Sequence, residues 1–197
     1  MALLTGLLLP FQMFNDYALR LGRAIGIVAI ALMVVAILIQ VFFRYVLNHA
    51  LPWPDEAARF AMLWMTGLLA PMAYRRGGFV AIDMVVRMMP VRVAALLSLF
   101  LLLVAGVVLA IAVQIGWGEV TGFGGRFATA SLYLPTSWDF SSFYRIPRAW
   151  MMASLLVGVT LLSIVNFELI LRSIITLLGG AGRLKPLSAP EQEIMAE

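Results

Sequence analysis

The sequence predicts an all-α integral membrane protein: four transmembrane helices and one short amphipathic interfacial helix. Three observations predict it. Four apolar runs, 24–43, 57–74, 93–118 and 149–171, are each long enough, or nearly so, to cross a bilayer, whose hydrocarbon core of about 30 Å takes roughly 20 helical residues. Hydrophobic residues make up 63% of the chain and charged residues 12%, about half the charged share of a soluble domain, and a soluble chain of this length cannot bury that much apolar surface. Stretches such as LLSLFLLLVAGVVLAIAV do not alternate, which argues against a β-barrel. In lipid the backbone must then bond within each span, so helices are expected and strands are not.

Residues 1–19 are apolar and then polar. The apolar part is too short to span and lacks a basic leader and an A-x-A site, so a cleaved signal is not expected. An interfacial segment leading into span one (about 21–45) is expected instead. Pro52 and Pro54 flank Trp53 in the next loop. Proline at a helix start with acids in the first turn is a strong initiation signal, and it places span two at about 55–74.

After the basic turn Arg75-Arg76-Gly77-Gly78, residues 79–89 are apolar but carry Asp83 and Arg87 four apart. That spacing puts the pair on one helix face, and the segment is too short to cross, so an interfacial helix is expected. Span three is placed at about 91–116. Residues 117–147 form one long outer loop rich in glycine and aromatics. Span four is placed at about 148–178, and the polar tail 179–197 is expected to be disordered. The whole of 1–178 reads as one membrane domain.

Arginine and lysine placement sets an orientation. With the N-terminus in the cytoplasm, nine basic residues lie inside (Arg20, Arg23, Arg75, Arg76, Arg87, Arg92, Arg172, Arg183, Lys185) and four outside (Arg44, Arg126, Arg145, Arg148). Both termini are therefore expected in the cytoplasm. No basic stripe interleaved with aromatics is present, so nucleic acid is not an expected partner.

Catalysis finds little material. The chain has one histidine, His49, and no cysteine. Paired-histidine haem ligation, a multi-histidine metal centre and thiol chemistry are excluded within the chain. No catalytic residue, cofactor-binding residue or metal ligand is expected. The polar side chains noted at the centres of spans one, three and four are Gln114, Ser154 and Thr160, and no internal repeat of the kind self-sufficient transporters show is evident.

The charged cluster at the start of span two has two readings. Arg59 lies four residues after Asp55 and three after Glu56, so one guanidinium can reach either carboxylate. Read plainly, this is a helix start with an interfacial Trp53 anchor. Read functionally, Trp53, Asp55, Glu56 and Arg59 dock another membrane chain, because charges at that depth face protein or water. Glu168 and Arg172, also four apart, read as a snorkelling pair. Gly22-x-x-x-Gly26 and Gly67, Ala70 and Ala73 permit close helix packing.

Phe43-Arg44-Tyr45, then Leu51-Pro52-Trp53-Pro54-Asp55-Glu56-Ala57-Ala58-Arg59-Phe60, then Trp64, then Arg75-Arg76-Gly77-Gly78-Phe79-Val80-Ala81-Ile82-Asp83 resembles the small, DctQ-type membrane subunit of tripartite ATP-independent periplasmic (TRAP) transporters. The resemblance covers most of 20–175, and its specific motifs lie in 42–83. Phe79 stands where that family often has a histidine, and the loop 117–147 is longer than usual.

The resemblance implies a non-enzymatic scaffold in the bacterial inner membrane, without cofactors. Its partners would be a large membrane subunit, which carries an organic acid inward with sodium, a periplasmic solute-binding protein that delivers the acid, and the lipid bilayer. Trp53, Trp117, Trp138 and Trp150 would anchor the scaffold. The rival expectation is a self-sufficient homo-oligomeric channel or small transporter, and a membrane redox subunit stands behind it.

Overall fold

The structure, a computed structural model, describes residues 2–76, 90–135 and 143–180. Its element order is α1 (Ala2–Tyr45), α2 (Trp53–Arg75), α3 (Val91–Thr121), a 3-10 turn (Phe123–Arg126), β1 (Ala128–Pro135), β2 (Phe143–Pro147) and α4 (Ala149–Leu177). Three of the helices are long and apolar enough to cross a membrane: Leu8–Tyr45 of α1, Val93–Thr121 of α3 and Ala149–Leu177 of α4. The 23-residue α2, which carries Asp55, Glu56, Arg59 and Arg75, is not among them. The expected interfacial helix with Asp83 and Arg87, Trp138, and all but the first two residues of the tail lie outside the described residues.

α1 runs unbroken for 44 residues, so the first 19 residues continue into the expected first span as one helix. A seam explains the continuity. Leu8, Gln12, Asn15, Leu19, Gly22, Gly26, Ala29, Ala36 and Gln40 are buried, with Met33 half-buried, in steps that alternate four and three. That is the left-handed packing period, and it passes through the polar stretch at 15–20 without a change of phase. α1 ends beyond Tyr45, where Asn48 takes a left-handed φ of 49° and the His49 N–H reaches the Phe43 carbonyl at 3.0 Å.

α4 stops by a Schellman turn. The Gly180 N–H donates to Ile175 O at 2.9 Å and the Gly179 N–H to Thr176 O at 3.0 Å. Gly179 has φ +82°, a value that favours glycine.

The contacts divide the chain into two units. One comprises Met1–Leu21, Ala70–Ile111 and Thr160–Glu197. In it Leu8 clusters with Leu171 and Ile175, the rings of Phe11 and Phe167 lie 5.1 Å apart, and the Ser173 hydroxyl donates to Ala95 O at 3.0 Å.

The other comprises Gly22–Leu69 and Ala112–Val159. Here glycines set the approach of the helices. A Cβ on Gly22 would lie 3.2 Å from Leu68 O, and one on Gly26 would lie 2.9 Å from the Leu69 side chain. At the crossing of α2 and α4 the contact is backbone on backbone: a Cβ on Gly67 would lie 2.5 Å from Ser154 O, and one on Gly158 would lie 2.7 Å from Gly67 Cα. Lipid supplies no hydrophobic drive between helices, so such close backbone packing carries the association.

The loop 117–147 was expected to hold no strand. α3 instead continues to Thr121, and β1 and β2 pair antiparallel, with Tyr133 opposite Arg145 and Leu134 opposite Tyr144. Two strands alone are marginal. Here the buried Thr129 ties them internally, its hydroxyl donating to Ile146 O at 2.8 Å, and the Arg148 N–H closes the base on Phe127 O at 2.7 Å.

The Gly67 contact generates a prediction. Gly67→Ala forces α2 and α4 apart and lowers stability by about 1–3 kcal/mol, the usual range for overpacking. Gly118→Ala, in open space, leaves it unchanged or slightly raised. Thermal midpoints of the two variants in detergent check this.

Candidate functional site

The sequence singled out the start of α2, and the structure separates its four residues. Trp53, 41% exposed, borders a shallow open cleft with Ser131, Leu132 and Tyr133. Pro54 behind it is buried. Asp55 accepts from Gln40 Nε2 of α1 at 3.3 Å.

Glu56 reaches the hairpin. Its carboxylate accepts the Ala130 N–H at 2.9 Å, the Ser131 N–H at 2.5 Å and the Ser131 hydroxyl at 2.6 Å. Charge-assisted bonds to backbone N–H groups are among the stronger hydrogen bonds. Glu56 is therefore the tether that lets a two-stranded hairpin persist. The same hairpin is stiffened by Arg145, which donates to Ala130 O at 2.7 Å and lies 5.3 Å from the centre of the Tyr133 ring.

Arg59 is exposed. The expected local pairing does not occur, and among the described residues Arg59 makes no ion pair with Asp55 or Glu56. Its neighbours on the helix are committed elsewhere, Asp55 to Gln40 and Glu56 to the hairpin.

The second cluster was missed, and it is the more deeply buried. Glu168 of α4 has no exposed surface. It was expected to snorkel with Arg172; instead it sits at the meeting of three helices. Arg172 Nε does donate to Oε1 at 3.1 Å. Arg75 of α2 adds Nη2 to Oε1 at 2.9 Å, with its Nε at ion-pair distance, 2.9 Å, from Oε2. Asn15 of α1 donates Nδ2 to Oε2 at 2.6 Å. Arg75 also pairs with Asp16 of α1.

Two arginines and two carboxylates make the set neutral, the condition under which charges are tolerated away from water. A nearby polar link joins α2, α3 and α4. The Tyr74 hydroxyl donates to Asn166 Oδ1 at 2.5 Å, and Asn166 Nδ2 donates to Leu102 O at 3.1 Å.

One signal for this cluster stood in the sequence: Glu168 is the only charge in its apolar run, and an intramembrane carboxylate needs a named partner. Asn15, Asp16 and Asn166 carried no comparable signal.

Chemically, both clusters do the same kind of work. They bond segments of the chain to one another and thereby fix helices, while Asn15 Oδ1, Gln40 Oε1 and Arg75 Nε stay buried without a hydrogen-bond partner. Among the described residues no group of three or more His, Asp or Glu side chains is placed to hold a metal ion. His49 is exposed in the turn after α1.

Glu168→Ala leaves two arginines without their central acceptor. Breaking one side of a buried ion pair costs about 3–5 kcal/mol. Arg75→Ala falls in the same range, and Arg75→Ala with Glu168→Ala together cost less than the sum of the two, because each removes the other's unpaired charge. A double-mutant cycle on thermal midpoints in detergent reads this out.

Residues 33–176 match the family profile described as "Tripartite ATP-independent periplasmic transporters, DctQ component". The match covers more than half of the chain and contains the α2 start, the hairpin, Arg75 and Glu168. No curated protein matches the chain, and no solved structure does.

Proposed function

The chain belongs to the DctQ family, a component of tripartite ATP-independent periplasmic transporters, and on that premise we propose that it is the small scaffold subunit of a TRAP secondary transporter. It is a multi-pass membrane protein of a transporter family. In the proposed role it sits in the bacterial inner membrane with both termini in the cytoplasm. It braces the large membrane subunit while that subunit carries an organic acid inward with sodium, the acid being delivered by a periplasmic binding protein.

The observation that carries this reading is where the polar side chains point. Glu168, Arg75, Arg172, Asn15 and Asp16 bond chiefly to one another, with Asn15 Oδ1 and Arg75 Nε buried without a hydrogen-bond partner, and Asn166 bonds to Tyr74 and a main-chain carbonyl. A chain that moves a hydrophilic solute by itself must turn such groups toward a water-filled path. Bonded to each other, they serve stiffness.

In the proposed topology α2 is the second of four spans. Its 23 residues reach about 34 Å at 1.5 Å per residue, enough for a hydrocarbon core. Asp55 and Glu56 lie at one end and Arg75 at the other. The nine-to-four distribution of basic residues supports the orientation. The face of Trp53, Asp55, Glu56 and Arg59 is the proposed contact with the partner subunit, and the Asp83 and Arg87 segment the proposed interfacial helix.

Affinity purification from native membranes in mild detergent tests the role. The expected result is a stoichiometric large polytopic membrane protein, with no solute flux from the chain alone in liposomes. A clean homo-oligomer across detergents, conducting solute by itself, overturns it.

A further inference from the structure

Within the unit formed by Gly22–Leu69 and Ala112–Val159, α2 is covered on most of its circumference. Gly22 and Gly26 of α1 lie on Leu68 and Leu69, Gly67 lies on Ser154 and Gly158 of α4, and Glu56 holds the hairpin. What stays exposed is narrow. Asp55, Arg59, Met62 and Thr66 follow one another at steps of four, three and four, with Leu63 beside them. These steps trace one stripe along a helix.

The stripe differs from the other exposed faces of the same unit. On α1 they are mostly bulky and apolar, Ile25, Ile27, Val28, Ile30, Leu32 and Leu38 among them, with Arg23 and Arg44 exposed toward the two ends of that stretch and Ala24 and Ala31 exposed between them. Such a surface suits lipid. On the α2 stripe Thr66 spends its hydroxyl on Met62 O of its own helix at 2.9 Å, leaving a small side chain, and small residues mark faces where a second helix approaches closely. Arg59 sits one turn above Met62 and, among the described residues, has no ion pair. An uncompensated guanidinium beside apolar side chains is costly in hydrocarbon. Both carboxylates on its own helix turn are bonded elsewhere.

Resting on the subunit reading above, we infer that the stripe of Arg59, Met62 and Thr66 docks a transmembrane helix of the large subunit that carries a carboxylate facing Arg59. The face proposed for contact is thereby narrowed. Glu56 works inward on the hairpin, Asp55 is exposed but bonded to Gln40, and Arg59 is exposed with no ion pair among the described residues. A pairing of this kind fixes register along the two helices as well as attraction, because a mis-set helix leaves two charges unpaired.

The chain has no cysteine, so a single one is a unique handle. Met62→Cys and Thr66→Cys, and as references Leu38→Cys on α1 and Ile115→Cys on α3, are labelled with a maleimide photo-crosslinker in the co-expressed complex. The expected result is adducts with the large subunit from positions 62 and 66, mapping to a helix that contains Asp or Glu. Arg59→Ala lowers the co-purified large subunit by about tenfold or more, as loss of one side of a desolvated charge pair does. Arg59→Lys retains most of it, and charge reversal of the mapped carboxylate rescues Arg59→Glu.

Arg59→Ala alone keeps its thermal midpoint, which separates docking from folding. If the large subunit co-purifies but crosslinks only from Leu38→Cys or Ile115→Cys, or if positions 62 and 66 capture lipid only, the stripe is overturned while the subunit role stands. If no large subunit co-purifies with the unmodified chain, the subunit role falls and the docking with it.

Discussion

Glu168 has no exposed surface on α4, and a lone carboxylate in such a place carries a desolvation penalty of several kcal/mol. What makes it tolerable is a shared neutralisation. Arg172 approaches from one turn along the same helix, Arg75 from α2 and Asn15 from α1. Since the acceptor cannot be left unpaired, each of those helices is held where its donor reaches. Asp16 then balances the second guanidinium. The apolar contacts of the same unit (Leu8 on Leu171 and Ile175, Phe11 on Phe167) fill in around a geometry that the charges have set.

The unit with the hairpin is organised by different means. There the closest approach is that of Gly67 to Ser154 and Gly158, with no side chain in between. In lipid, van der Waals contact between backbones replaces the hydrophobic drive that a soluble bundle would use. The hairpin is fastened to that frame by one carboxylate, Glu56, through two N–H groups and a hydroxyl. Both units thus use an acidic side chain to join segments far apart in sequence, and in both the acid is fully occupied.

Helices were legible from hydropathy alone because an apolar run in lipid has one way to satisfy its backbone. Partners were not. Glu168 was read with Arg172 and Glu56 with Arg59, because spacings of three and four are what a single sequence displays. The structure keeps the first pairing and adds Asn15 and Arg75, 153 and 93 positions away. It replaces the second with main-chain groups 74 and 75 positions away.

The continuity of α1 was not legible for a related reason. The first 19 residues read as apolar and then polar, whereas Asn15 and Asp16 bond sideways to Glu168 and Arg75, and the helix passes through. The strands at 128–135 and 143–147 were hidden because two short strands acquire their stability from Glu56 and from the Thr129 bond, not from a pattern of their own.

A scaffold held by satisfied charges should not change shape while its partner moves. The most direct measurement is a spin-label distance between Met13→Cys on α1 and Phe100→Cys on α3, both exposed, at 73% and 62%, and both in the unit organised around Glu168. It is made in the assembled transporter at rest and during turnover. One unchanged distance distribution is the expected result. A second population that appears only during turnover would show that this chain takes part in the transport motion, and would contradict a fixed brace.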